Sequence, residues 1–408
     1  MSGMRPIDRL IAGIPEPIAE RALPWKRAAF RSAGVAPRTA GRVRLFIGPV
    51  NSAGQGYAWA RAAERIDGVS AVDFMYRTAD DVFDYPADHR VDTVYFRTNK
   101  RWQAAQRRAV TDRFTHVIIE SGRQIFGATD PLLEQIDGLR RRGVQVALLW
   151  HGSDIRVPSR HAEREPDSPF RQDGYADTAL LERSATANHA LMPQLDVPVF
   201  VSTPDLLAEV PRATWLPVVV GVDSWTRQGA EAPLGTGRRP VVAHAPSNAG
   251  LKGSALVAPV LHRLHDEGLI DYREVRGVPS SRMPDVYGGA DIVLDQFALG
   301  IYGVAACEAM AAGRVVISHV SDEVRATVRS RTGEELPIIQ SRAAELERTL
   351  RGIVAAPETA RAVAASGPAF VRRHHDGARS AEALRPFLAL TSRGGEGNRP
   401  GGHGRLRG

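Results

Sequence analysis

Ile292-Val-Leu-Asp-Gln-Phe-Ala-Leu-Gly300-Ile-Tyr-Gly-Val-Ala-Ala-Cys-Glu308-Ala-Met-Ala-Ala-Gly313-Arg-Val-Val-Ile-Ser-His319 decides the fold class. It opens on a short apolar run, breaks at Gly300 and Gly303, and continues as an Ala-rich stretch of helical composition over 304–312. Gly313 ends that stretch and a β-branched run follows at 315–319. Two buried strands joined through a helix must run parallel, because only a crossover connection returns the chain to the same end of a sheet. The unit recurs on either side. Strands are expected at 241–244 and 272–275, helices at 252–266, 342–355 and 358–374, and a helical turn at 283–288. Before them, 43–47 reads as a strand stopped by Gly48-Pro49, and a polar loop leads to a helix at 57–66. Short apolar runs follow at 69–75, 93–96, 116–120, 144–150 and 197–202, with helices at 104–113 and 131–142 between some of them. Such alternation predicts parallel sheets covered on both faces. Thr214-Trp-Leu-Pro-Val-Val-Val-Gly-Val-Asp223 reads as a junction between two α/β units, with a hinge near 218–223 and a cleft between them. Ligands of such sheets lie beyond the carboxyl ends of the strands, so the loops after Ile47, Trp150, His244, Val275, Leu294 and His319 are the places to search.

The 408 residues are enough for two cores, and the formal net charge is +7 with a pI near 9.9. The excess is confined to the ends. Residues 1–40 hold seven basic residues against three acids, 391–408 hold four arginines against Glu396, and 41–390 are formally neutral. A nucleic-acid partner is therefore not expected, since that needs a basic folded face. The ends read as an irregular, proline-punctuated basic arm over 1–40 with one short helix near 19–30, and a disordered tail at 391–408. Either they solubilise the protein or they touch an anionic membrane surface. Cys307, the single cysteine, excludes an intrachain disulfide and sits among Ala and Met as a small buried hydrophobe. No run approaches the length of a membrane-spanning helix and the first residues lack a signal-peptide pattern, so a cytoplasmic protein is expected.

Four loops carry chemistry. Gly54-Gln-Gly56 precedes a helix and suits close approach of an anion or sugar. A dinucleotide fingerprint would need a glycine where Trp59 stands, which weakens a dehydrogenase reading that would use Asp73 for a ribose. Trp150-His-Gly-Ser-Asp154 projects His151, Ser153 and Asp154 from a strand end. Asp154 either contacts a ligand or caps the turn and pairs with Arg156. His244-Ala-Pro-Ser-Asn-Ala-Gly-Leu-Lys252-Gly-Ser254 places Lys252, one of three lysines, at the opening of a helix, where an anion such as a diphosphate would offset its repulsion by the dipole. In the opening quotation, Glu308 lies in an otherwise apolar helix and needs a hydrogen-bonding partner, for which a ribose diol would serve.

Together these segments resemble the retaining glycosyltransferases of the GT-B architecture, the glycosyltransferase group 1 family. The motifs are H-A-P-S-x-x-x-x-K-G-S from His244, M-P-D-V-Y-G-G-A-D-I-V from Met283, G-x-Y-G-x-x-A-x-E-A-M-A-A-G-R-V-V-I from Gly300, and H-G-x-D at His151. The resemblance covers residues 42–390 and is densest at 215–320. It implies two Rossmann-like parallel-sheet domains facing a central cleft, with 41–216 on the acceptor side and 217–390 binding a nucleotide sugar. It also implies transfer of a hexose-type sugar from a nucleoside-diphosphate donor to an acceptor hydroxyl, with retention and without a metal or other cofactor. Lys252 would contact the diphosphate, Glu308 the ribose, the backbone at Gly277 and Val278 the base, and His151 the transferred sugar. Gly54 and Gly56 would close over donor and acceptor.

Two positions depart from the family pattern. Gly300 stands where the family's first glutamate is expected, and Ser247 where an arginine often precedes the lysine. The resemblance then leaves the sugar to the backbone near Ile301, Tyr302 and Gly303, with Asp295 or Gln296, and adds Asp154 as a sugar or acceptor contact. Two rivals share the architecture: a nucleotide-sugar epimerase, and a donor-binding partner subunit with weakened activity. The acceptor, whether lipid-linked, saccharide or small metabolite, has no signature in the sequence.

Overall fold

The computed structural model describes residues 33–389 apart from 79–80, 172–173, 227–231 and 236. The basic arm to residue 32, including the helix expected near 19–30, and the tail from 391 lie outside the described residues.

The first sheet has seven strands: β1 Val43–Gly48, β2 Val69–Arg77, β3 His89–Asp92, β4 His116–Glu120, β5 Gln145–Trp150, β6 Val199–Val201 and β7 Thr214–Trp215. Their order is β3-β2-β1-β4-β5-β6-β7, and every pairing is parallel. The second sheet has five: β8 Val241–His244, β9 Asp271–Glu274, β10 Ile292–Leu294, β11 Val315–Ser318 and β12 Ile339–Gln340, in the order β12-β11-β10-β8-β9, again all parallel. Each sheet changes direction of winding beside its first strand, between β1 and β4 and between β8 and β10. That is where a crevice opens at the strand ends.

Alternate side chains of each strand serve opposite faces. Leu45 and Ile47 of β1 join a core that runs through helix Val304–Ala311 and on to Phe370, so one apolar layer is shared by the two halves. Phe46 packs into a second core with Phe74, Val117 and Ile119 on the other face. A third core, around Val242, Leu261 and Leu350, covers the far face of the second sheet. Cys307 is fully buried in the shared layer, where burial pushes its thiol pKa well above the ordinary value.

Three expectations change. Residues 93–96 are β-branched and aromatic, yet they lie in helix Thr93–Thr98. Asp92 caps its first turn by accepting from the Val94 and Tyr95 amides at 2.8 and 3.3 Å. Lys252 does not open the long helix. It closes a one-turn helix, Ala249–Lys252, and Gly253 at φ +70° separates it from Ser254–Asp266. Helix Ala378–Leu388, not anticipated, returns to the first sheet, where Phe387 meets His116 edge-on at 5.1 Å.

Candidate functional site

A cavity of about 430 Å³ lies where the carboxyl ends of the two sheets face each other. The loops after β1, β5, β8, β9 and β10 all reach it. Of the residues singled out from sequence, His151, Ser247, Lys252, Gly277, Val278, Asp295, Gln296, Ile301, Gly303 and Glu308 line it. Residues separated by up to 157 positions are thus gathered in one pocket.

Its charged floor is compact. Lys252 Nζ donates to Asp295 Oδ1 at 2.7 Å, while Asp295 Oδ2 is buried without a hydrogen-bond partner. Glu308, on helix Val304–Ala311, is half-buried and accepts no hydrogen bond from the described residues. Burial is the main reason its carboxyl is raised from 4.5 to about 8. Asp295 adds to the rise and Lys252 opposes it. At neutral pH Glu308 is therefore mostly protonated, a donor as well as an acceptor beside the cavity. Gly303 caps this helix with an extended backbone, an added Cβ there would meet nothing within 4 Å, and Gly303, Val304 and Ala305 line the pocket. Gly277 is similarly unobstructed at φ +63°.

The opposite wall comes from the first sheet. His151 follows β5, and its ring stacks on Trp59 with centroids 5.6 Å apart. Glu120, fully buried at the end of β4, holds His151 Nε2 at 2.9 Å and accepts from the Val50 and Asn51 amides at 2.7 and 2.9 Å. Burial works to lower the imidazole pKa, but the hydrogen bond and charge of Glu120, with Asp154, prevail and raise it. Phe83 and Tyr85, between β2 and β3, also reach the cavity. Burial and the nearby Glu308 push the Tyr85 phenol up to about 12. The Phe83 carbonyl accepts from the Ser280 amide at 3.0 Å, a backbone bond across the cleft.

Four expected residues sit elsewhere. Asp154 shapes its own loop: its carboxylate accepts from the His151 and Gly152 amides at 3.0 and 2.8 Å and from Ser121 Oγ at 2.6 Å, while Arg156 pairs with Asp205. The Tyr302 side chain turns into the core, its hydroxyl 3.4 Å from His375 Nε2. Gly54, at φ +74°, lets the chain turn beneath Tyr85, and Gly56 makes room for the Asp73 carboxylate. Asp73 is fully buried at that point, in no position to meet a ribose.

Gly300 has a local explanation. Its φ is +68°, and an added Cβ would lie 2.5 Å from Glu165 Oε1. Glu165 comes from the first half of the chain and pairs with His319 at 2.9 Å. No spacing in the sequence signals Glu165, Phe83 or Tyr85. Glu120 carried a signal of the same kind as Glu308, a carboxylate ending an otherwise apolar strand.

Comparison with solved structures follows this geometry. Sucrose-phosphate synthase from Thermosynechococcus elongatus superposes with a TM-score of 0.52 at 13% identity, covering 85% of this chain and 98% of that one. HepE from Anabaena, in complex with UDP and glucose, gives 0.52 at 11%, covering 85% and 99%. The catalytic domain of starch synthase IV from Arabidopsis thaliana, bound to ADP and acarbose, gives 0.51 at 12%, covering 86% and 99%.

The chain has the GT-B fold.

At these identities the likeness establishes architecture alone. Residues 249–385, which hold Lys252, Asp295 and Glu308, also match the model of a family described as glycosyl transferase-like. No curated protein sequence matches the chain.

Proposed function

We propose that this protein is a glycosyltransferase that moves a hexose-type sugar from a nucleoside-diphosphate donor to an acceptor hydroxyl, with retention and without a metal. The observation that carries the reading is the carboxyl of Glu308, without a hydrogen-bond partner among the described residues, in one pocket with Lys252 and the N-terminal residues of helix Val304–Ala311. A cation and a helix N-terminus on one side of the cavity suit a diphosphate, and a half-buried carboxyl suits a ribose diol.

In this reading the leaving diphosphate gains its negative charge against groups already in place, the type of stabilisation that dominates such chemistry. Lys252 has two further N–H donors once Asp295 holds one. Asp295 thereby fixes the ammonium toward the phosphate, and its second oxygen remains for a sugar hydroxyl. His151, oriented by Glu120, donates to the sugar from the other wall. The acceptor hydroxyl attacks the anomeric carbon as its bond to the diphosphate breaks, and the departing phosphate oxygen takes the proton. Loops from both halves enclose the pocket and exclude water that would hydrolyse the donor.

A thermal-shift screen against UDP-, GDP-, ADP- and dTDP-sugars identifies the donor, since a ligand that binds only the native state raises its stability. Release of nucleoside diphosphate over an acceptor panel then measures transfer. Unchanged turnover in Lys252→Ala and Glu308→Gln would remove the site assignment. Conversion of donor alone to an isomeric nucleotide sugar would replace transfer by epimerisation.

A further inference from the structure

A second groove of about 810 Å³ opens from the His151 side of the donor pocket, and the two share Ser52, His151, Asn248 and Leu251 in their walls. Its floor lies at the carboxyl ends of β2 and β4. Three guanidiniums, from Arg77, Arg97 and Arg123, line it. Among the described residues, two carboxylates line the groove with them. Asp154 is saturated by the His151 and Gly152 amides and Ser121 Oγ, and Asp177 stands at the far wall where helix Thr178–Leu191 begins.

The arginines differ in their engagement. Arg77 is tied down, donating to the Val50 carbonyl at 2.8 Å and pairing with Asp81 at 3.2 Å. Arg123 approaches the Tyr76 hydroxyl at 3.4 Å and has no carboxylate within ion-pair distance among the described residues. It stands just past Ser121 and Gly122, whose φ values of +56° and +59° turn the chain sharply after β4. Its charge reaches the reacting end of the groove, where it acts to lower the His151 pKa. A guanidinium binds phosphate or carboxylate oxygens through paired N–H donors.

We propose that this groove receives the acceptor, and that the acceptor carries an oxyanion, phosphate or carboxylate, bound by Arg123. The hydroxyl to be glycosylated then lies toward His151, at the passage into the donor pocket. The proposal rests on the sugar-transfer reading above.

The test uses three saccharides differing mainly in charge: glucose, glucose 6-phosphate and glucuronate. Each is titrated calorimetrically onto the full chain saturated with whichever nucleoside diphosphate stabilises it in the thermal-shift screen. Glucose 6-phosphate or glucuronate should bind at least about tenfold more tightly than glucose, and which of the two does so separates phosphate from carboxylate. Arg123→Gln should erase that preference, while Arg123→Lys, which keeps the charge, should retain most of it. Equal binding of all three, binding of none, or a preference that survives Arg123→Gln would overturn the proposal. Absence of stabilisation by any nucleoside diphosphate would instead count against the donor site, so the two failures are told apart.

Discussion

Glu308→Gln should make the protein more stable and a poorer binder of nucleotides. The carboxyl is raised from 4.5 to about 8, with burial the leading cause. In the unfolded chain it ionises near 4.5, so between that pH and about 8 the unfolded state holds fewer protons than the native one. Stability therefore falls as pH rises through this window. At roughly 1.4 kcal/mol per pH unit the penalty approaches about 5 kcal/mol above pH 8 and is near zero below pH 4.5. Water in the pocket screens part of it, so the gain from the neutral amide is expected at about 2–3 kcal/mol around pH 8.5 and under about 1 kcal/mol around pH 5. Urea unfolding of both proteins at the two pH values measures this directly. Glutamine keeps one acceptor but cannot ionise to the carboxylate that accepts from both hydroxyls of a ribose diol, so nucleoside diphosphate affinity should drop about tenfold or more around pH 8.5. A variant no more stable than wild type at high pH, or equally stabilised at both, would refute the account of Glu308.

Lys252→Ala leaves Asp295 buried without its cation, so chemical denaturation should show a loss of about 3–5 kcal/mol. Lys252→Met with Asp295→Asn should recover most of that stability without recovering nucleoside diphosphate binding, which calorimetry would separate. Gly300→Glu should not raise activity: at φ +68°, with the Glu165 carboxylate in the way, it should cost about 2 kcal/mol or more and lower Tm. Glu120→Gln removes the charge that raises the His151 pKa, so the imidazole should titrate lower in an NMR pH series, and an unmoved pKa would deny Glu120 its orienting role.

Much of the fold was legible because parallel sheets bury both faces of their strands, and buried strands stand out as short apolar runs between helical stretches. The runs at 116–120, 241–244 and 292–294 were read in this way, and their ends mark the site. Helix Thr93–Thr98 was missed because an Asp92 cap overrode the β preference of Thr, Val, Tyr and Phe. Lys252 and Glu308 were legible as local anomalies, a charge against a dipole and a carboxyl among alanines. Their relation to Asp295 was not, since a contact across 43 positions leaves no periodic trace. The covering loop with Phe83 and Tyr85 escaped for the same reason, and the engagement of Asp154 with its own loop and of the Tyr302 side chain with the core was not legible because side-chain direction in a loop depends on what the loop packs against.

The return of helix Ala378–Leu388 to the first sheet means that the chain passes between the two halves twice. The two passages lie side by side. Val220 N donates to the His375 carbonyl at 2.7 Å, His375 Nδ1 donates to the Val218 carbonyl at 2.9 Å, and Ser380 Oγ donates to Pro217 O at 2.7 Å. A single connecting strand would permit swivel, tilt and twist alike. Two passages bonded side by side resist twisting about their common length more than they resist bending across it. A relative motion of the halves would then follow that bend, which keeps Lys252, Glu308 and His151 in one alignment.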